Sequence, residues 1–155
     1  MYASDARAFF AQLSLCGTIL AQACYFPDGS TSDTTDWFVC NSTADHSHCC
    51  VLGDECLTNG LCKGSLEGNI NRYWRESCTD PAWRSSACPS FCNTNDTHSD
   101  APRVNWPALA CSADSYCCSY NATQPLAEED DYSCCDDRSR QLDIGPAVFL
   151  AGAIV

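Results

Sequence analysis

Residues Cys49 to Cys62 read CCVLGDECLTNGLC, four cysteines in fourteen positions with a Gly-Asp and an Asn-Gly between them. Such a run fits a metal knuckle, an extracellular growth-factor-like module or a disulfide staple. The choice depends on whether the sulfurs are thiolates or bridges, and therefore on the compartment in which the chain folds.

The first 23 residues speak to that compartment. MYASDAR is a short polar start carrying Arg7, and Ala8 to Leu20 is largely apolar, broken by Gln12, Ser14 and Thr18. Ala21-Gln22-Ala23 then supplies small residues where signal peptidase reads them, so residues 1–23 are expected to be a secretory signal cleaved before Cys24. A buried N-terminal helix is the competing reading. A lipoprotein signal fits less well, because Ala21 stands where that pattern places Leu.

Cleavage alters the cysteine arithmetic. Of 15 cysteines, Cys16 leaves with the signal, and the fourteen that remain permit seven disulfides with no thiol left over. These are Cys24, Cys40, Cys49, Cys50, Cys56, Cys62, Cys78, Cys88, Cys92, Cys111, Cys117, Cys118, Cys134 and Cys135. The mature part holds only 20 Leu, Ile, Val and Phe residues, seven of them in its last 14 positions. With a net charge of −12, so few aliphatics would ordinarily describe a disordered chain. Bridges worth about 2–4 kcal/mol each can take the place of a core, which makes an oxidising compartment a folding requirement. The same negative charge argues against nucleic acid and anionic membrane surfaces as partners.

Three N-glycosylation sequons, at Asn41, Asn95 and Asn121, sit in polar stretches between cysteines. Behind a signal peptide they predict a eukaryotic secreted glycoprotein. Helical periodicity does not persist anywhere. Asp36 to Cys40 and Arg103 to Trp106 read as short strands, Ser65 to Glu76 as a short helix or a strand pair, and Pro27-Asp28-Gly29 and Asn59-Gly60 as turns. The fold class expected is small and disulfide-rich, with short β-hairpins, irregular loops and at most one short helix. The cysteine-rich domain should span 24–141. The apolar stretch 142–155 is too short for a membrane span of about 20 residues, and reads as a terminal strand or the start of a truncated span.

Adjacent cysteines recur at Cys49-Cys50, Cys117-Cys118 and Cys134-Cys135. Bonding neighbours to each other strains the peptide, so each pair should send two bridges in different directions. The C-x5-C-C spacing at Cys111 to Cys118 has a weak likeness to knottin and chitin-binding modules.

Chemistry is harder to find. DHSHCC, Asp45 to Cys50, offers imidazole beside sulfur, but oxidised cysteines cannot ligate a metal, leaving surface histidines or a weak contact through His46 and His48 alone. There is no G-x-S-x-G elbow, and His46, His48 and His98 lack a nucleophile motif beside them. The acidic cluster Glu128 to Asp131 with Asp136-Asp137 reads as a solvated loop without calcium-loop spacing. No catalytic residue, cofactor or metal ligand is assigned. Trp37, Trp74, Trp83 and Trp106 are candidates either for packing against disulfides or for stacking on sugar.

The order CYFPDG from Cys24, CCVLGDECLTNGLCKG from Cys49, SCTDPAWRSSACPSFC from Ser77 and the Cys111 to Cys118 run resembles a group of cysteine-rich ectodomains from filamentous ascomycete fungi. The resemblance covers nearly the whole mature chain. It implies a signal peptide, a disulfide-rich ectodomain and, in typical members, one transmembrane helix with a Ser/Pro-rich tail. It carries over no ligand or catalytic residue, and this chain departs from the pattern by stopping at Val155.

The sequence therefore predicts a secreted or cell-surface fungal glycoprotein that recognises or associates with wall carbohydrate or an extracellular protein, and is not an enzyme. A secreted effector acting on a host and a small extracellular hydrolase are the alternatives. The stretch Cys49 to Cys62 becomes a staple, with Asn59-Gly60 turning the chain and four sulfurs bridging outward.

Overall fold

Fourteen sulfurs set the plan of this molecule, and short antiparallel ladders fill the space between them. The computed structural model describes residues 22–32, 35–64, 72–93, 102–119 and 132–150. Within these, nine strands form two sheets: β1 (Trp37–Val39), β2 (His48–Val51), β3 (Glu55–Cys56), β4 (Cys62–Lys63), β5 (Tyr73–Arg75), β6 (Ser77–Cys78), β7 (Trp106–Ala110), β8 (Ser115–Cys118) and β9 (Gln141–Asp143). The order is β1-β2-β6 in one sheet and β3-β4-β5-β7-β8-β9 in the other, with every pairing antiparallel. Only Glu76 separates β5 from β6, so this one residue carries the chain from the larger sheet to the smaller. A single turn of helix, α1 (Ser133–Asp136), and a 3-10 turn over Arg138–Arg140 are the helical elements among the described residues.

Seven disulfides are formed among the described residues, and they use all fourteen cysteines beyond residue 23: Cys24–Cys49, Cys40–Cys56, Cys50–Cys62, Cys78–Cys88, Cys92–Cys118, Cys111–Cys135 and Cys117–Cys134. Each adjacent pair diverges, as ring strain requires. Cys49 reaches back to Cys24 while Cys50 reaches forward to Cys62, and Cys134 and Cys135 run to Cys117 and Cys111. The staple is not wholly outward-facing, however. Cys50–Cys62 closes within the stretch, because the hairpin at Asn59-Gly60 brings β4 beneath β2.

That hairpin is built as its residues dictate. Leu57 donates its N–H to the Leu61 carbonyl at 3.0 Å, and Gly60 takes φ +85°, a conformation that costs a side-chain-bearing residue. A Cβ at Gly60 would also lie 3.3 Å from the Pro89 ring. The Asn59 side chain holds both flanks, accepting from Leu61 N–H at 3.2 Å and donating to the Gly145 carbonyl at 3.3 Å.

Sulfur substitutes for aliphatic mass in the interior. One buried cluster joins Leu57, Leu61, Trp106, Ala108 and Tyr116 to Cys92 and Cys118. A second sets Trp74 against Cys40, Cys50, Cys56 and Cys62, and a third sets Leu109 on Cys117 and Cys134. The strand expected at Asp36 to Cys40 is β1. The one expected at Arg103 to Trp106 begins at Trp106 instead and runs through Pro107 to Ala110.

A proline inside a central strand removes one ladder donor. Ser119 N–H donates to the Pro107 carbonyl at 3.1 Å, and the reciprocal bond cannot form. The indole N–H of Trp106 donates to the Ser119 carbonyl at 2.9 Å in its place.

The C-terminal stretch is integrated into the domain as far as it is described. β9 crosses the expected boundary at 141/142, and residues 144–150 then return over the Cys49–Cys62 hairpin. There Thr58 N–H donates to the Val148 carbonyl and Leu150 N–H to the Cys56 carbonyl, each at 2.8 Å. No helix among the described residues is long and apolar enough to cross a membrane.

Candidate functional site

The DHSHCC stretch enters β2, and strand geometry decides the fate of its groups. His48 is paired with Cys78 across the β2–β6 ladder and is only 8% exposed, so it is not the surface histidine expected from its polar neighbours. Burial pulls its pKa down to about 4 and keeps the ring neutral, and Nε2 is buried without a hydrogen-bond partner. A ring nitrogen of His48 and the sulfurs of Cys40, Cys50 and Cys56 lie within 4.8 Å of one another. All three sulfurs belong to Cys40–Cys56 and Cys50–Cys62, so none is a thiolate, and His46 stands apart on the exposed side.

Beside these sulfurs lies a buried charged group that the sequence did not advertise. Glu76, at the passage between the sheets, is 1% exposed, and its Oε2 accepts the Val51 N–H at 2.5 Å. Oε1 is buried with no hydrogen-bond partner among the described residues, and the Asp54 carboxyl acts on Glu76 electrostatically. Burial first, and the Asp54 charge second, hold the Glu76 carboxyl well above the ordinary carboxylate range.

Arg75, immediately before it, is fully buried too. Its Nε and Nη2 donate to the Cys92 carbonyl at 3.0 and 2.8 Å, its Nη1 to the Glu76 carbonyl at 3.0 Å, and its guanidinium lies 5.8 Å from the Trp83 ring centre. Burial pulls the Arg75 pKa down to about 9. Sequence reasoning places Arg and Glu outside. What fits them here is backbone satisfaction, since Arg75 clamps the irregular chain at Cys92 that no strand pairs.

Both carboxyls of the Asp54–Glu76 pair are buried from solvent. An acid pair serving a glycosidic bond must flank its substrate, whereas both of these residues bond to Val51 at one end of β2.

Solvent-accessible recesses are a different matter. A cleft of about 490 Å³ opens between the β2 approach, the Leu57–Gly60 turn, the Ser86–Phe91 loop and the returning C-terminal segment. Among the described residues its lining contains no Asp, Glu, Lys or Arg, and includes His46 and His48. In a chain of net charge −12, that is an uncharged patch within an acidic molecule. Ser47 ties one wall together, accepting from Asn41 N–H at 2.9 Å and donating to the His48 carbonyl at 3.0 Å. Across the cleft, the loop leading to Ser86 is organised by Asp80, whose carboxylate accepts from the N–H groups of Ala82, Arg84 and Ser85 at 2.8–2.9 Å. Those bonds hold its carboxyl below the usual range. They also support Trp83 at φ +50°, where its indole donates to the Tyr25 carbonyl at 3.2 Å.

None of the four tryptophans lines the cleft. Trp74 and Trp106, at 4% and 0% exposure, are core residues packed among the disulfides, the first of the two alternatives expected for them, and cannot offer a face to sugar. A chain short of aliphatics has spent its largest rings on covering disulfides. Trp37 is half-buried, edge-on to Phe26 at 5.6 Å, and Trp83 is half-buried against Arg75. Of the sequons, Asn41 is exposed on the cleft rim. Asn95, Asn121, His98, Glu128 to Asp131 and the expected signal up to residue 21 lie outside the described residues.

Comparison with protein-family models, with characterised proteins and with solved structures returns no match. What fold and bonding define is a class: a small disulfide-rich β protein, held by seven bridges and suited to an oxidising compartment.

Proposed function

We propose that this chain is a secreted or cell-surface glycoprotein of the fungal ectodomain type, with a recognition or wall-association role and no catalytic step of its own. The observation that carries the reading is the complete pairing of the cysteines beyond residue 23. A domain whose interior is sulfur and aromatic rings cannot be assembled in a reducing cytosol. The exposed sequon at Asn41 and the uncharged cleft agree with life among extracellular sugars, and the buried placement of the Asp54–Glu76 pair agrees with a binding rather than a hydrolytic role.

The test is expression through a eukaryotic secretory route. The recovered protein should begin at Cys24, weigh fourteen hydrogens less than its reduced form, and gain gel mobility on enzymatic deglycosylation. It should also co-sediment with insoluble wall polysaccharide. Free thiols, or an unglycosylated product, would remove the basis for this reading.

A further inference from the structure

The cleft has a built-in candidate occupant. Asn41 is part of its lining, and this side chain is the acceptor of a sequon. Its Oδ1 accepts from the Thr43 N–H at 3.1 Å and from the Thr43 hydroxyl at 2.8 Å, so the amide plane is fixed, and Nδ2, the atom that takes a glycan, is engaged by no group among the described residues. The lining matches what a neutral N-acetylhexosamine presents. It offers the hydroxyls of Thr58, Ser86 and Ser90, which carry no hydrogen bond among the described residues, and the half-buried ring of Phe91. Among the described residues it has no Asp, Glu, Lys or Arg side chain that would have to be desolvated against a neutral sugar. Its volume falls in the range of about 300–1,000 Å³ typical of small-ligand sites.

We propose that the cleft is the seat of the chain's own glycan: the proximal sugars attached at Asn41 fold back between the Leu57–Gly60 turn and the Ser86–Phe91 loop. The inference rests on the glycoprotein reading above. Attachment at the rim makes the sugar's effective concentration high, so contacts too weak to capture a free saccharide suffice to dock a tethered one. The docked sugar adds a second tie between two loops that already touch where Gly60 meets the Pro89 ring, and closes the cleft to other ligands.

Hydrogen exchange read by mass spectrometry tests this on the full secreted chain, comparing the wild type with Asn41→Gln and with Thr43→Ala. The two substitutions remove the same glycan from different residues, both exposed, and glycopeptide mass records whether Asn41 is occupied. The expected result is exchange at least about threefold faster over Leu57–Gly60 and Ser86–Phe91 in both variants, the size of effect that one lost sugar–ring contact gives. If Asn41 is occupied and exchange in those loops does not change, docking is overturned while the glycoprotein reading stands. If only one variant changes, the cause is its side chain and docking is likewise overturned. An unoccupied Asn41 overturns both at that site.

Discussion

The indole N–H of Trp106 donates at 2.9 Å to the carbonyl of Ser119, the residue whose own N–H donates to the Pro107 carbonyl at 3.1 Å. A proline is thereby accommodated in a central strand by its own neighbour's side chain. Trp106→Phe removes this donor from a buried carbonyl and should destabilise the domain by about 1–3 kcal/mol in a denaturant titration. Adding Pro107→Ala restores a main-chain donor and should recover part of the loss. Additive effects in the double-mutant cycle would show that the two residues are not coupled in this way.

Glu76 links stability to pH in one direction. An unfolded chain releases this proton near 4.5, whereas the fold retains it well above that value. The folded state binds more protons, so the contribution of this group is complete below 4.5 and is lost as pH rises through the folded pKa. Glu76→Gln, whose amide can still accept from Val51 and donate to Asp54, should flatten the fall in melting temperature on the neutral and alkaline side. An unchanged pH profile would contradict a Glu76 proton retained in the fold.

His48 acts in the opposite sense. Its pKa falls from 6.5 to about 4 on folding, so the unfolded state binds the extra proton between those values. Stability should therefore decline as pH drops from 6.5 to 4, by about 3 kcal/mol from this group alone. His48→Gln should remove that limb. Denaturant midpoints at pH 7 and pH 4 for both proteins measure it.

The disulfides should not reduce together. Cys111 and Cys135 are half-buried, whereas both members of every other bridge are buried. Limited reductant under native conditions should open Cys111–Cys135 first, read by alkylation and peptide mapping. Cys117 Sγ lies 3.4 Å from the sulfurs of both Cys111 and Cys135, so prolonged exposure should then scramble Cys117–Cys134 before any bridge of the Cys24 to Cys62 region. Earlier loss of Cys50–Cys62 would contradict this order.

Much of the fold was legible in the sequence wherever a single residue carries a local constraint. Gly60 could only be a turn, DWFVC could only be extended, and neighbouring cysteines had to diverge. The candidate site was less visible. Arg75 and Glu76 look like surface charges because their satisfaction comes from the carbonyl of Cys92, 17 residues away, and the N–H of Val51, 25 residues away. Trp74 and Trp106 looked equally fit for sugar or for core, since a ring's amphipathic chemistry serves either until burial decides. The uncharged cleft has no sequence signature, being assembled from four separated segments.

Composition alone determined that this chain must be held by bridges: fourteen cysteines beyond residue 23 with so few aliphatics leave no other source of stability. Which sulfur meets which, and which side chains those meetings bury, was decided only in three dimensions. Pairing depends on distances between remote chain segments, and fourteen cysteines permit on the order of 10⁵ pairings that the linear order does not distinguish. The run Cys49 to Cys62 shows both sides. Its turn and its bridges were written in its residues, whereas the closure of Cys50 on Cys62, the withdrawal of His48 and the acid pair behind them came from β2 and β6 packing against the larger sheet.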